Sequence, residues 1–135
     1  MDRDDIVKFL LVSGLSEVEE IEYKDKETLV LRFFYDFDED ELSAAQAYAK
    51  EECKEDENEE KFYDYYVPYL NEISVDNVSD IVEGLMEEEG VKAQFISYEV
   101  EIDETDEEEP YTEFIAVITE DKDVDIEKVL EELNL

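Results

Sequence analysis

The spacing of hydrophobic residues changes along the chain, and each spacing predicts a different element. Near the start, Ile6 and Leu10 lie one helical turn apart, and Gly14 provides a stop for that helix. Two segments rich in β-branched and aromatic residues, 17–24 and 28–36, follow with the turn-like sequence "KDKE" between them. The pattern therefore predicts a helix followed by a β-hairpin.

Helical spacing returns in the middle of the chain. Apolar residues at every third or fourth position predict a helix over 39–54. The aromatic stretch "KFYDYYVPYL" predicts a short helix that ends before Pro68, because the residue before a proline disfavours the helical backbone. Ser74 is then a suitable N-cap for another helix, which Gly90 ends.

The last third of the chain predicts a second hairpin and a final helix. The segment "QFISYEVEID" (94–103) alternates apolar with polar residues, and "YTEFIAVITE" (111–120) is more continuously apolar. Ile126, Val129 and Leu130 then recur at helical spacing. We expect one α+β domain over 1–135, with a mostly antiparallel four-stranded sheet made of two hairpins and helices over one face.

The order of predicted elements indicates an internal duplication. Residues 5–25 align with 80–100 with six identities, among them Asp-Ile-Val, Ile21 with Ile96, and Tyr23 with Tyr98. The predicted repeats of an α-β-β-α unit cover 2–54 and 74–135, separated by a helical aromatic insertion over 55–73. Asp, Ile and Val are common in this chain, so chance similarity is an equal alternative.

The charge of the chain excludes several classes of partner. Eleven basic and 45 acidic residues give a net charge of −34. Such a chain repels phosphate backbones and anionic lipid surfaces, so we expect no direct nucleic-acid or membrane partner. A salt-rich cytoplasm, a basic protein partner or bound cations would each compensate for the charge. A single cysteine, Cys53, and no apolar run of membrane-spanning length lead us to expect a cytoplasmic location.

Alternating aspartates have the spacing that begins many calcium loops. There are two such triplets: Asp36, Asp38 and Asp40, and Asp121, Asp123 and Asp125. An EF-hand loop needs glycine at its sixth position, where these triplets have Glu41 and Ile126. Asp38 with Glu41 forms a capping-box pattern, and Asp123 has the matching position before the last helix. We therefore interpret both triplets as helix starts, with a divalent-cation site as the alternative and weak Ca²⁺ or Mg²⁺ association expected.

Aromatic residues of the insertion are the candidate partner-binding residues. They are Phe62, Tyr63, Tyr65, Tyr66 and Tyr69. Tyrosines surrounded by acids would suit a basic partner, since tyrosine is enriched in interfaces. The alternative is that these side chains pack the insertion onto the domain. The acidic loop 103–109 adds a second hypothesis, a surface that imitates the phosphate charge of DNA.

Enzymatic chemistry has little support in this sequence. There is no histidine, and the three glycines are too scattered for a phosphate-binding loop. In size, acidity and helix–hairpin order the chain resembles the small dimeric chaperones of type III secretion, and this resemblance implies protein binding. We expect a non-enzymatic adaptor or chaperone-like protein without a cofactor, able to form a homodimer through a sheet edge. A DNA mimic and a divalent-cation binder are the alternatives.

Overall fold

The computed structural model describes residues 2–53, 60–98, 100–101 and 110–135. The elements of these ranges are α1 (Arg3–Val12), β1 (Ser16–Ile21), β2 (Leu29–Asp36), α2 (Glu39–Glu52), α3 (Glu60–Glu89), β3 (Lys92–Ser97), β4 (Tyr111–Thr119) and α4 (Ile126–Leu133). The α+β class is therefore confirmed. The predicted repeat stays a prediction, and the acidic loop 103–109 and the start of the predicted insertion, 55–59, lie outside the described ranges.

The four strands form one antiparallel sheet in the order β1-β2-β4-β3. The two hairpins meet through β2 and β4, where Leu29 lies opposite Ile118 and Val30 opposite Val117. β1 and β3 are consequently the edge strands. The predicted strand 94–103 is shorter than expected: β3 ends at Ser97, and a single bridge then joins Glu101 to Tyr111.

Helices cover both faces of the sheet, so the prediction of one covered face was wrong. α1 and α3 pack on the face that contains Leu31, Phe33 and Phe114. α4 packs on the opposite face, against Val30 and Ile115. The physical reason is that β2 and β4 carry large apolar residues at consecutive positions, and a strand that is apolar on both sides needs cover on both sides.

α3 is a single helix of 30 residues that continues through Pro68, so the predicted break before this proline was wrong. Ser74 is also not an N-cap: it is buried inside the helix, and its Oγ donates to the Asn71 carbonyl at 2.8 Å. Apolar side chains keep helical spacing on both sides of the proline. Tertiary packing of these side chains outweighs the local preference against a helix at Pro68.

The N-terminal half of α3 packs against α2. A small core joins the two helices, formed by Phe37, Ala45, Ala49, Tyr66, Leu70 and Val100. The alanines of α2 let the helices approach closely, so the α2–α3 pair is held by its own apolar contacts. In the described part of the chain, no helix is both long and apolar enough to span a bilayer.

A polar network connects the end of β2 to both of these helices. The Tyr35 hydroxyl donates to Glu41 Oε2 at 2.6 Å and accepts from Asn77 Nδ2 at 2.6 Å. The other oxygen of Glu41 accepts from the Asp38 backbone N–H at 3.0 Å, which completes the predicted capping box at the start of α2. Burial, and then the hydrogen bond to Glu41, raise the pKa of Tyr35 above its usual value. The hydroxyl therefore stays protonated as a donor at neutral pH.

Replacing this tyrosine tests the network. Tyr35→Phe removes the hydroxyl that bonds to both Glu41 and Asn77, leaving the direct bond from Asn77 to Glu41, and we expect the free energy of unfolding to fall by about 1 kcal/mol. Urea denaturation measures this change. Tyr63→Phe is the control, because that residue is 42% exposed and needs no buried partner. Equal stability of the two variants would show that the Tyr35 hydroxyl contributes nothing to the free energy of unfolding.

Candidate functional site

Three tyrosine side chains from α2 and α3 form a continuous aromatic surface. The rings of Tyr48 and Tyr69 are stacked with centroids 5.0 Å apart, and Tyr48 meets Tyr65 edge to face at 6.3 Å. Tyr65 and Tyr69 lie one turn apart on α3, while Tyr48 reaches them from α2 and is 42% exposed. We call Tyr48, Tyr65 and Tyr69 the tyrosine surface.

The remaining predicted aromatic residues have other roles. Tyr66 is 5% exposed and belongs to the α2–α3 core, where its ring stacks on Phe62 at 5.2 Å. Tyr63 is 42% exposed and contacts Phe62 edge to face. Helical geometry places Tyr63 about 160° around the axis from Tyr65, away from the tyrosine surface. The five predicted residues therefore do not form one group. Phe62 and Tyr66 pack in or against the α2–α3 core, Tyr63 is exposed elsewhere, and Tyr65 and Tyr69 belong to the tyrosine surface.

Tyr48 is the member of the surface that the sequence did not reveal. It lies on the alanine-rich helix α2, three residues after buried Ala45, which places it beside the α2–α3 contact, and it is itself 42% exposed. The available signal was a large aromatic residue among alanines on a helix with a narrow apolar stripe. Its contact with Tyr65 and Tyr69 could not be predicted, because it depends on how α2 packs against α3.

Acidic side chains border the tyrosine surface. Glu51 and Glu52 follow Tyr48 by three and four residues on α2, and Glu72 follows Tyr69 by three on α3. All three are exposed. A cationic side chain that docks on the tyrosine rings would meet both their negative π-faces and these carboxylates. The arrangement can bind a basic ligand without any covalent chemistry.

The two aspartate triplets lie at opposite ends of the sheet. Asp36 ends β2 and is opposite Tyr111, the first residue of β4, whereas Asp121 comes just after the last residue of β4. Neighbouring antiparallel strands run in opposite directions, so the two triplets cannot share an ion. Across the described ranges, no three Asp, Glu or Cys side chains come together in a group that could hold a metal ion.

Most of these aspartates have identified hydrogen-bond or ion-pair partners. Asp38 Oδ1 accepts from the Glu41 N–H at 2.7 Å as the N-cap of α2. Asp36 Oδ2 accepts from the Ser16 hydroxyl at 2.6 Å. Asp40, in the first turn of α2, and Asp121 are exposed.

The prediction of Asp123 as the N-cap of α4 was wrong. Asp125 caps this helix, with its Oδ1 accepting from the Glu127 N–H at 3.0 Å. Asp123 instead forms an ion pair with Lys92 at 2.9 Å, which holds the segment before α4 against β3. The helix begins at Ile126 because that side chain packs on the sheet, and the cap is the residue directly before it.

Basic residues gather at one end of the sheet, around a cavity of about 570 Å³. The cavity is lined by Arg3, Lys26, Glu27, Glu120, Asp121 and Lys122. Arg3 forms an ion pair with Glu20, and Lys122 forms one with Asp25 and thereby lowers the pKa of that carboxyl. The ion pairs connect the β1–β2 hairpin to α1 and to the segment after β4. The lining has equal numbers of positive and negative groups, so the cavity has no excess positive charge that would bind an anion.

Comparisons with family models, with curated proteins and with solved structures found no match for this chain.

Proposed function

We propose that this protein is a non-enzymatic binding protein, of adaptor or chaperone type, that holds a basic polypeptide partner on the tyrosine surface. The observation that supports the proposal is the contact of the exposed Tyr48 with the half-buried Tyr65 and Tyr69, with acidic side chains around them. Tyrosine provides large contact area at low conformational entropy cost, which is why it is frequent in binding surfaces.

Charge and aromatic contact would have different roles in such a complex. The net charge of −34 attracts a basic partner over long distances and raises the association rate, an effect that salt removes. The tyrosine rings act only at contact and slow dissociation, an effect that salt changes little. A specific partner should therefore stay bound at salt concentrations that release proteins held by charge alone.

Capture of partners over a range of salt concentrations tests this proposal. The protein is immobilised, exposed to the cytoplasmic extract of its own organism and washed with increasing NaCl. Partners that remain are purified and their affinity is measured for the wild type and for Tyr48→Ala combined with Tyr65→Ala. We expect the double variant to bind about tenfold more weakly, as truncation of interface aromatic residues does.

Tyr63→Ala is the matched control, since Tyr63 is equally exposed and lies outside the tyrosine surface. It should bind the partner like the wild type. Capture of unrelated basic proteins that all elute together at low salt would contradict the proposal and leave adaptation to a salty cytoplasm as the explanation of the acidity. Displacement of the captured protein by duplex DNA would favour the DNA-mimic alternative.

A further inference from the structure

Among the described residues, the outer edge of β3 presents unpaired backbone groups in a regular arrangement. The Tyr98 N–H, in register with β3, donates to the Glu113 carbonyl of β4 at 2.9 Å. Residues of an antiparallel strand alternate in the direction of their N–H and C=O groups. The backbone groups of Ala93, Phe95 and Ser97 therefore point away from β4, and no strand of the described chain pairs with them.

A groove of about 400 Å³ runs along this edge. It is lined by Ser79, Val82, Glu83 and Met86 of α3, by Ala93, Gln94 and Phe95 of β3, and by Ile126 of α4. α3 and α4 lie on opposite faces of the sheet, so a groove that touches both must pass around the edge of β3. The groove follows the open backbone edge of β3, and most of the side chains that line it are apolar. One more strand could pair with this edge and place its side chains in the groove.

The other edge of the sheet is protected against strand addition. β1 contains Glu17, Glu19 and Glu20, and Glu22 follows it directly. Glu17 has a positive φ of 48° at an irregularity in the β1–β2 register, which interrupts a regular edge. Charges and bulges are the usual means by which proteins block edge pairing. β3 has no bulge, and the one charged residue of the segment 91–98 is Lys92 at the start of the strand, which is paired with Asp123, so the edge from Ala93 to Ser97 carries no charge.

We propose that the edge of β3 binds an extended segment of a basic partner, which adds to the sheet as a fifth strand. Alternate side chains of this segment would enter the groove beside Val82 and Met86, and its basic side chains would face the exposed Glu83. A second copy of the chain is a poor occupant, because it would bring another net charge of −34. The positive charge of the segment rests on the proposed function, whereas its location rests on the open edge.

A synthetic peptide of about seven residues that alternates lysine with valine is the probe, since this is the length of an ordinary strand. We expect it to slow amide hydrogen exchange at Ala93, Phe95 and Ser97 in the wild-type protein. Ala93→Pro removes one outward N–H and leaves the bonds to β4 intact, and it should bind the peptide about tenfold more weakly than Ala93→Val, which is similar in size and keeps the N–H.

The charge of the probe separates the two proposals. A peptide that alternates glutamate with valine should bind at least about tenfold more weakly than the lysine peptide, because it meets the same acidic protein with the opposite sign. Equal protection of the β3 amides by both peptides would contradict the basic partner and keep the edge site. Binding of the lysine peptide with changes only at the tyrosine surface would overturn the edge site and keep the proposed function. Protection of the β3 amides that rises with protein concentration alone would make a second copy the occupant and overturn the inference.

Discussion

Raising the NaCl concentration from about 0.1 M to about 1 M should raise the melting temperature of this protein by about 10 °C. With 45 acidic and 11 basic residues, at least 34 carboxylates have no basic residue of their own. Two carboxylates about 10 Å apart in water repel each other by about 0.4 kcal/mol without salt. Folding brings many such pairs together, and added salt screens them in the folded protein more than in the expanded chain.

The strongest local repulsion that we identify is on α3. Exposed acids follow one another at intervals of three or four residues along this helix: Glu72, Asp76, Asp80, Glu83 and Glu87. Like charges at these intervals destabilise a helix by about 0.2–0.5 kcal/mol per pair. Asp76→Lys would turn two repulsive pairs, with Glu72 and Asp80, into attractive ones. We expect this variant to be more stable by about 1 kcal/mol at low salt and to gain less from added salt.

Thermal melting of the wild type, Asp76→Lys and Asp76→Asn over a series of NaCl concentrations measures these effects. Asp76→Asn is the control, since it removes the repulsion without adding attraction, and it should lie between the other two proteins at low salt. A general salting-out effect would raise all three curves in parallel. A wild-type melting temperature that does not change with salt would show that the acidic surface causes no net destabilisation.

Local sequence patterns predicted most elements of the fold because their signals lie within the elements. The strands Leu29–Asp36 and Tyr111–Thr119 are rich in apolar and aromatic residues, and the helix start at Asp38 has its capping box within four residues. The continuation of α3 through Pro68 could not be predicted in this way. The helix continues because residues around Pro68 pack against α2. This contact joins two separate segments of the chain, so no local pattern near the proline predicts it.

The candidate site was predictable only in part for the same reason. The aromatic run that includes Tyr65 and Tyr69 is visible in the sequence, but its division into core and surface is set by which side of α3 meets α2. Tyr48 joins the surface from a different helix. The open edge of β3 depends on strand order, which places the least acidic strand at one edge and the glutamate-rich strand at the other.

Pro68→Ala should stabilise the folded protein by about 2 kcal/mol. A proline inside a helix lacks the N–H that would bond to the carbonyl four residues earlier, here that of Asp64, and it is about 3 kcal/mol less favourable than alanine. Proline also restricts the unfolded chain, which stabilises the folded state by about 0.4–1 kcal/mol and reduces the net gain from its removal. The Pro68 ring is exposed, so its removal leaves no cavity in the core. Urea denaturation measures the gain, and Pro110→Ala, outside any helix, should show none.

The position of Pro68 suggests why an exposed proline that destabilises its own helix is present. Pro68 lies between Tyr65 and Tyr69 and follows Tyr65 by one turn, so its ring borders the tyrosine surface. If the proline shapes this surface for a partner, Pro68→Ala should unfold at higher urea concentration and yet bind the captured partner more weakly. Unchanged binding together with higher stability would show that the proline has no part in recognition. A loss of stability would instead mean that contacts of the Pro68 ring contribute more than the missing hydrogen bond costs.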